Sequence, residues 1–206
     1  TLFQIILLLI GRIPLFDTLC ISFGTAGTGG FGIVNDSMGS YSTYCQVVTT
    51  IFMILFGVNF SAYYLLLTKK FVQAFKFEEV RYYFGIILAA ILVIGLNTAH
   101  LFRNLGEAFQ QAAFQVGSII TTTGFSSTDF SQWPSLSKTI LVLLMFVGAC
   151  AGSTGGGIKV SRILILCKAA KKEFQLYLHP NAVKKIKMDE KTIGHDIIRS
   201  TNIYLR

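Results

Sequence analysis

The stretch TTTGFSSTDF at residues 121–130 decides how the rest of the chain is interpreted. It is polar, rich in small residues and placed between two strongly apolar regions. Irregular backbone at membrane depth persists only where protein buries it or where it lines a water-filled cavity. Runs of hydroxyl residues that end in glycine are typical of ion filters built from backbone carbonyls, because glycine permits the positive φ that turns a carbonyl toward the pore. The stretch therefore predicts an ion-filter loop.

A second stretch of the same kind occurs earlier, as TAGTGGFG at residues 25–32. Shifting one half of the chain over the other by 94 residues aligns the two loops, pairing Thr28 with Thr122, Gly29 with Thr123, Gly30 with Gly124 and Phe31 with Phe125. The order of features also recurs, as a short helix, a polar loop, a long apolar span and a basic loop. The sequence therefore predicts two copies of one structural unit.

The composition is that of a membrane protein. Of the 206 residues, 52% are hydrophobic and only 14% are charged, whereas an average soluble domain carries about 25% charged residues. The net charge of +8 does not indicate nucleic-acid binding, because the Lys and Arg residues cluster in loops at the ends of apolar runs, as cytoplasmic charge does. The four cysteines lack the spacing of a metal site and are expected to be small buried thiols.

Apolar runs of two lengths predict two kinds of helix. Residues 44–67 and 82–99 are long enough to cross a bilayer, which takes about 20 residues, whereas 14–25 and 107–120 are too short and precede the two polar loops. We interpret the short helices as pore helices. For the first of them, a helix hairpin capped by a glycine-rich turn is an open alternative. Residues 1–11 are interpreted as the end of a helix that begins before this sequence, so that the chain is expected to be a fragment.

A third apolar run is interrupted by the glycine-rich segment GACAGSTGGGIK at residues 148–159. It lacks the Gly-Lys-Ser/Thr ending of a phosphate-binding loop. Discontinuous membrane helices tend to line a permeation path, so we expect a mobile constriction. Its candidate residues are Gly152, Gly155, Gly156, Gly157 and Lys159. The alternative is a kink for close helix packing. The Lys159 ammonium either faces the pore, where it would repel cations, or extends to the inner interface.

The chemistry expected of the filter loops is replacement of a cation's hydration by carbonyl oxygens, which add no fixed charge and so let the ion leave again. The candidate ligands are the carbonyls around Thr28, Gly29, Gly30, Thr122, Thr123 and Gly124. Asp36 and Asp129 lie just outside the loops. They either concentrate cations at the mouth of the pore or are ordinary loop acids without a role in transport. No cluster of His, Cys or Asp indicates an enzyme, and no cofactor is expected.

A secondary transporter that couples a small solute to sodium or protons is the alternative function. It would use the interrupted helix as its substrate site and would place acidic residues within the membrane. No acid occurs within residues 44–67, 82–99 or 136–167, so the channel-like interpretation is preferred.

Several of these motifs together resemble the membrane subunit of the Trk-type bacterial potassium uptake systems. They are TTTGF at 121–125, the pair Trp133–Pro134, the glycine-rich run 148–160 and HPNAV at 179–183. The resemblance covers about residues 14–187, and we could place nothing similar to residues 188–206. It implies an all-α membrane protein of four units of potassium-channel type, each with a helix, a pore helix, a filter loop and a second helix.

The resemblance also implies how this chain maps onto such a protein. Residues 1–76 would be the end of one repeat, 77–175 a complete next repeat with a broken second helix, and 176–206 a basic cytoplasmic linker. Gly30 and Gly124 would be the central filter glycines. The interrupted helix would be an intramembrane gate below them.

Function and assembly follow from the same resemblance. It implies potassium uptake across the bacterial inner membrane by a multi-pass, lipid-embedded homodimer. A cytosolic nucleotide-binding subunit would regulate it, and further repeats of the same chain would complete the pore.

Overall fold

The computed structural model describes residues 1–70, 76–178, 187–188 and 191–192, and the regular elements among these are helices joined by loops, apart from one short antiparallel pair of strands. The predicted all-α membrane fold is confirmed. In chain order the helices are α1 Leu2–Ile10, α2 Leu15–Ala26, α3 Thr43–Phe56, α4 Phe60–Leu67, α5 Glu78–Thr98, α6 Leu105–Ile120, α7 Ser135–Phe146 and α8 Val160–Leu178. Short 3₁₀ turns occupy Ala99–Leu101 and Phe130–Gln132, and the strands are β1 Lys187–Met188 and β2 Lys191–Thr192. Most of the predicted linker 176–206, including the HPNAV motif, lies outside the described residues.

The two predicted pore helices end in the same way. The C-cap residue of α2, Gly27, has φ −86° and ψ 0°. The C-cap residue of α6, Thr121, has nearly the same values, φ −85° and ψ −3°. In the first loop the Gly29 N–H donates to the carbonyl of Gly24 at 2.8 Å, and 94 residues later the Thr123 N–H donates to the carbonyl of Ser118 at 2.9 Å. The two helix–loop segments therefore share one backbone conformation.

Among the described residues, one helix is long and apolar enough to cross a membrane unbroken, over Glu78–Leu101. Its N-terminal end lies beside the first half of α8, where the Lys168 ammonium forms an ion pair with the Glu78 carboxylate.

The prediction of one continuous span at 44–67 is wrong. The run divides into α3 and α4, which are bent by 93° relative to each other at a short break. The break has its own partners: the Ile54 carbonyl accepts from the Tyr83 hydroxyl at 3.0 Å, and the Leu55 carbonyl accepts from the Tyr63 hydroxyl at 2.6 Å. The side chain of Asn59 caps α4 by accepting from the Ser61 N–H at 2.8 Å. Asn59 therefore begins α4 at the break.

Two apolar clusters hold the helices together. One is centred on α5, α6 and α7, and it contains fully buried residues such as Tyr83 and Ile94. The other packs α1, α2 and α3 around Phe114 and Phe125, which come from the second pore helix and the second filter loop. Phe125 lies so close to α2 that a Cβ on Gly24 would be 3.2 Å from its ring. The second filter loop is therefore anchored in the core of the first half.

We expect Tyr83→Phe to destabilise the full-length parent protein by about 1–3 kcal/mol, because it leaves the partly buried Ile54 carbonyl without the donor that Tyr83 supplies. Thermal unfolding of the purified protein in detergent measures the effect. Tyr82→Phe is the matched control, since Tyr82 is 51% exposed. Equal unfolding midpoints for the two variants would show that the Tyr83 hydroxyl does not support the helix break.

Candidate functional site

The two predicted filter loops have unusual backbone at matching positions. Thr28 and Thr122 have φ values of 52° and 57°, and Gly30 and Gly124 have values of 64° and 90°. A positive φ is uncommon for a β-branched residue and persists only where the surrounding structure enforces it. The sequence alignment of the loops at a spacing of 94 residues therefore has a counterpart in their backbone conformation.

The loops meet each other at Gly30. A Cβ added to Gly30 would overlap the carbonyl oxygen of Thr123. By contrast, a Cβ added to Gly124 would find no atom within 4 Å, so only its positive φ favours glycine there. The structure thus brings together the predicted site residues Gly30 and Thr123, and it gives the two equivalent glycines different constraints.

The second loop is supported from the protein side. The Ser118 hydroxyl donates to the carbonyl of Phe125 at 2.6 Å, and the Thr121 hydroxyl donates to the carbonyl of Gly117 at 2.7 Å. The hydroxyls of Thr121 and Thr123 are 2.7 Å apart and share a hydrogen bond. Both threonines are buried. Their hydroxyls therefore brace the loop.

The first loop has a support that the sequence analysis missed. Gln4, buried on α1, donates from its side-chain amide to the Thr25 hydroxyl at 3.0 Å. The Thr25 hydroxyl in turn donates to the carbonyl of Ile21 at 2.7 Å. A lone glutamine in an otherwise apolar helix was the available signal.

The interruption predicted at 148–159 is a folded loop. Its base is closed by a parallel bridge between Val147 and Ile158, in which the Gly148 N–H donates to the carbonyl of Ile158 at 2.8 Å. Gly152 and Gly157 have φ values of 71° and 70°, so the turns within it require glycine. We call the segment 147–159, between α7 and α8, the intramembrane loop.

The intramembrane loop is hydrogen-bonded to both filter loops at equivalent threonines. The Thr28 hydroxyl donates to the carbonyl of Thr154 at 3.2 Å, and the Gly156 N–H donates to the hydroxyl of Thr122 at 2.6 Å. Gly155 lies close to the second loop as well, since a Cβ there would be 3.1 Å from the Thr121 carbonyl oxygen. The glycines thus allow the intramembrane loop to approach the filter loops closely.

Lys159 is held by the intramembrane loop itself. Its ammonium donates to the carbonyl of Gly155. The side chain therefore closes the turn that carries the glycines.

The intramembrane loop also docks on the break between α3 and α4. The Cys150 N–H donates to the carbonyl of Gly57 at 3.0 Å, and the Phe60 N–H donates to the carbonyl of Gly152 at 3.1 Å. The Thr154 hydroxyl is 3.5 Å from the carbonyl of Phe56. Each interruption therefore supplies hydrogen-bond partners to the other.

A buried carboxylate, missed by the sequence analysis, holds both ends of the intramembrane loop. Glu79, in the first turn of α5, is 4% exposed. One of its oxygens accepts from the Ala151 N–H at 2.6 Å and from the Ser161 N–H at 3.0 Å. In the sequence it is one of two adjacent acids at the end of an apolar run, and nothing there distinguishes it from Glu78.

The two predicted mouth acids come together at the outer end. Asp36 and Asp129 both line a cavity of about 460 Å³ formed by the segments that follow the two filter loops. These segments pair through the Met38 N–H, which donates to the carbonyl of Ser126 at 2.8 Å. Hydrogen bonds from Ser131 lower the pKa of the Asp129 carboxyl, so the group is charged at neutral pH. The cavity therefore carries negative charge.

No group of three or more His, Cys, Asp or Glu residues in the described part of the chain could hold a metal ion. The geometry is that of two carbonyl-bearing loops, a charged outer cavity and an inner loop that contacts both.

Comparison with known proteins agrees with this geometry. The sequence model of the family TrkH, described as "Cation transport protein", matches residues 3–98 and 83–201. The likeness therefore continues past residue 187, where the sequence analysis ended it.

Individual relatives give the same result. The Trk system potassium uptake protein TrkH of Salmonella typhimurium is 33% identical over 193 residues, which is 91% of this chain and 40% of that protein. The Trk system potassium uptake protein TrkG of Escherichia coli is 32% identical over 190 residues, 91% of this chain and 39% of that protein. The crystal structure of the potassium transporter TrkH from Vibrio parahaemolyticus superimposes with a TM-score of 0.92 at 31% identity, covering 99% of this chain and 45% of that one.

The chain spans about two fifths of the length of these relatives. Because the family model matches most of its residues, this chain belongs to the TrkH family of cation transport proteins.

Proposed function

We propose that the protein to which this chain belongs takes up potassium ions across the bacterial inner membrane through a channel-like pore. One observation carries the proposal: two loops with the same backbone conformation meet each other, and a single intramembrane loop is hydrogen-bonded to the equivalent threonine of each. The relatives described above are named potassium uptake proteins, which supports potassium as the ion.

The proposed filter works through backbone carbonyls near Thr28, Gly29, Gly30, Thr122, Thr123 and Gly124. Removing a cation's hydration shell is costly unless oxygen atoms replace it. Carbonyl dipoles supply those oxygens without fixed charge, so that binding remains weak enough for the ion to leave. In this proposal the charged outer cavity with Asp36 and Asp129 raises the cation concentration at the entrance.

The proposed gate is the intramembrane loop, with Gly152, Gly155, Gly156, Gly157 and Lys159. It contacts both filter loops, so an ion leaving them would pass it, and movement of the loop would open the exit. The membrane potential would then drive uptake with about 2.3 kcal/mol per charge per 100 mV.

The secondary-transporter alternative gains no support from the described residues. It requires an acid free to bind a substrate or a coupling ion. Glu79, the buried acid at the intramembrane loop, already accepts two backbone N–H groups. We therefore keep the channel-like function as the proposal.

The assembly implied by the family resemblance is part of the same proposal. It is a multi-pass homodimer in which further repeats of the chain complete the pore. A cytosolic nucleotide-binding subunit would regulate it. Chemical cross-linking and mass measurement of the purified full-length protein would test the dimer.

We expect Gly30→Ala to reduce rubidium uptake by the full-length parent about tenfold or more, because its Cβ would overlap the Thr123 carbonyl oxygen. Gly124→Ala should reduce uptake less and lower the ratio of rubidium to sodium, since only the strain of its φ, about 1–2 kcal/mol, acts there. Uptake into proteoliposomes measures both effects.

Gly106→Ala is the control for these variants, because a Cβ at Gly106 would meet no atom within 4 Å and its φ is not positive. Wild-type uptake and selectivity in both filter variants would contradict the proposal and would make the loops purely structural.

We expect Thr122→Val to raise rubidium uptake while leaving its ratio to sodium uptake unchanged. The variant keeps the shape of the side chain but removes the oxygen that accepts from the Gly156 N–H. Loss of about 1 kcal/mol of hydrogen bonding would favour release of the loop by about fivefold. Thr139→Val is the control, because Thr139 is exposed and bonds within its own helix. Unchanged or lower uptake would mean that this contact does not restrain a gate.

A further inference from the structure

Glu79 is unusual because it is a charged group buried at the junction of three segments. It begins α5, and it contacts the intramembrane loop at Ala151 and the first turn of α8 at Ser161. Taking a carboxylate out of water costs several kcal/mol unless hydrogen bonds or opposite charge compensate. A glutamate used only to end a membrane span would not need to be buried.

The partners of Glu79 supply that compensation. Two backbone N–H groups converge on one oxygen, at 2.6 Å and 3.0 Å. The Ser161 N–H belongs to the N-terminal turn of α8, where the helix dipole favours a negative charge. Hydrogen bonds to a charged acceptor are roughly twice as strong as neutral ones.

These two N–H groups lie on either side of the glycines of the intramembrane loop. Ala151 precedes the glycines that contact the filter loops, and Ser161 follows them. A single carboxylate oxygen therefore ties together the two ends of the segment that carries Thr154 and Gly156. If the bonds to this carboxylate were lost, the segment would be less restrained. The hydrogen bonds of Thr154 with Thr28 and of Gly156 with Thr122 would then be weakened.

The neighbouring acid performs a different task. Glu78 forms an ion pair with Lys168 on α8, and its side chain is 27% exposed. It is an acid of the same length in the same helical turn, and its ion-pair partner lies within α8 rather than in the intramembrane loop. The two adjacent acids thus provide a natural comparison.

We propose that Glu79 is a positioning residue that latches the intramembrane loop against the two filter loops. The carboxylate does not bind the ion; it sets the equilibrium between a docked and a released loop. The effect on ion flux rests on the proposed function, whereas the latch itself is a statement about the loop and can be tested without transport.

The test combines hydrogen–deuterium exchange with rubidium uptake in the full-length protein. We expect Glu79→Gln, which keeps the shape but removes the charge, to speed amide exchange in peptides covering 148–163 by about fivefold or more. Glu79→Ala should have a larger effect. Exchange in peptides from α3 should stay at the wild-type rate, which separates release of the loop from general destabilisation. Glu78→Gln, the matched control, should leave exchange at 148–163 unchanged.

The outcomes separate the two proposals. Faster exchange at 148–163 together with higher rubidium uptake at unchanged selectivity supports both the latch and the gate. Faster exchange without any change in uptake supports the latch and overturns the gating role of the loop. Wild-type exchange at 148–163 in Glu79→Gln and Glu79→Ala, or an equal increase throughout the protein, overturns the latch whatever the uptake.

Discussion

The structure depends on one constraint: backbone N–H and C=O groups within a bilayer need partners, since lipid offers none. Continuous helices satisfy the constraint internally, but a pore needs exposed carbonyls and therefore irregular backbone. The described part of the chain contains the two proposed filter loops and two interrupted helices. Each interruption exposes polar groups that a neighbouring segment satisfies. The carbonyl of Gly57 is paired by Cys150, and that of Gly152 by Phe60. The two breaks thus help to stabilise each other.

This mutual pairing explains why polar side chains at the site form hydrogen bonds within the protein. Thr121 and Thr123 bond to each other, Tyr83 donates to a carbonyl at the end of α3, and Glu79 accepts from the intramembrane loop. Each of these groups is buried, and an unpaired polar group there would cost about 1–3 kcal/mol. The filter loops are consequently held from the protein side by buried polar side chains.

How much of this could be predicted from the sequence follows from the range of each interaction. The filter loops were predictable because their conformation is local: hydroxyl residues, a glycine and a preceding short helix recur at a spacing of 94 residues. The intramembrane loop was visible for the same reason, since its glycines are adjacent. The family resemblance rests on these same local motifs, and the comparison with known proteins confirms it.

The break at Gly57 was not predictable because its causes are distant in the sequence. Residues 44–67 have the composition of a continuous span, and only the hydroxyl of Tyr83 and the N–H of Cys150 show why the helix ends. Glu79 was missed on the same principle, because its partners lie more than seventy residues away. Local patterns therefore revealed which segments are irregular, whereas the contacts that stabilise them are long-range. An intramembrane loop whose stability is supplied from elsewhere can be released by changes elsewhere, which is the property that a gate requires.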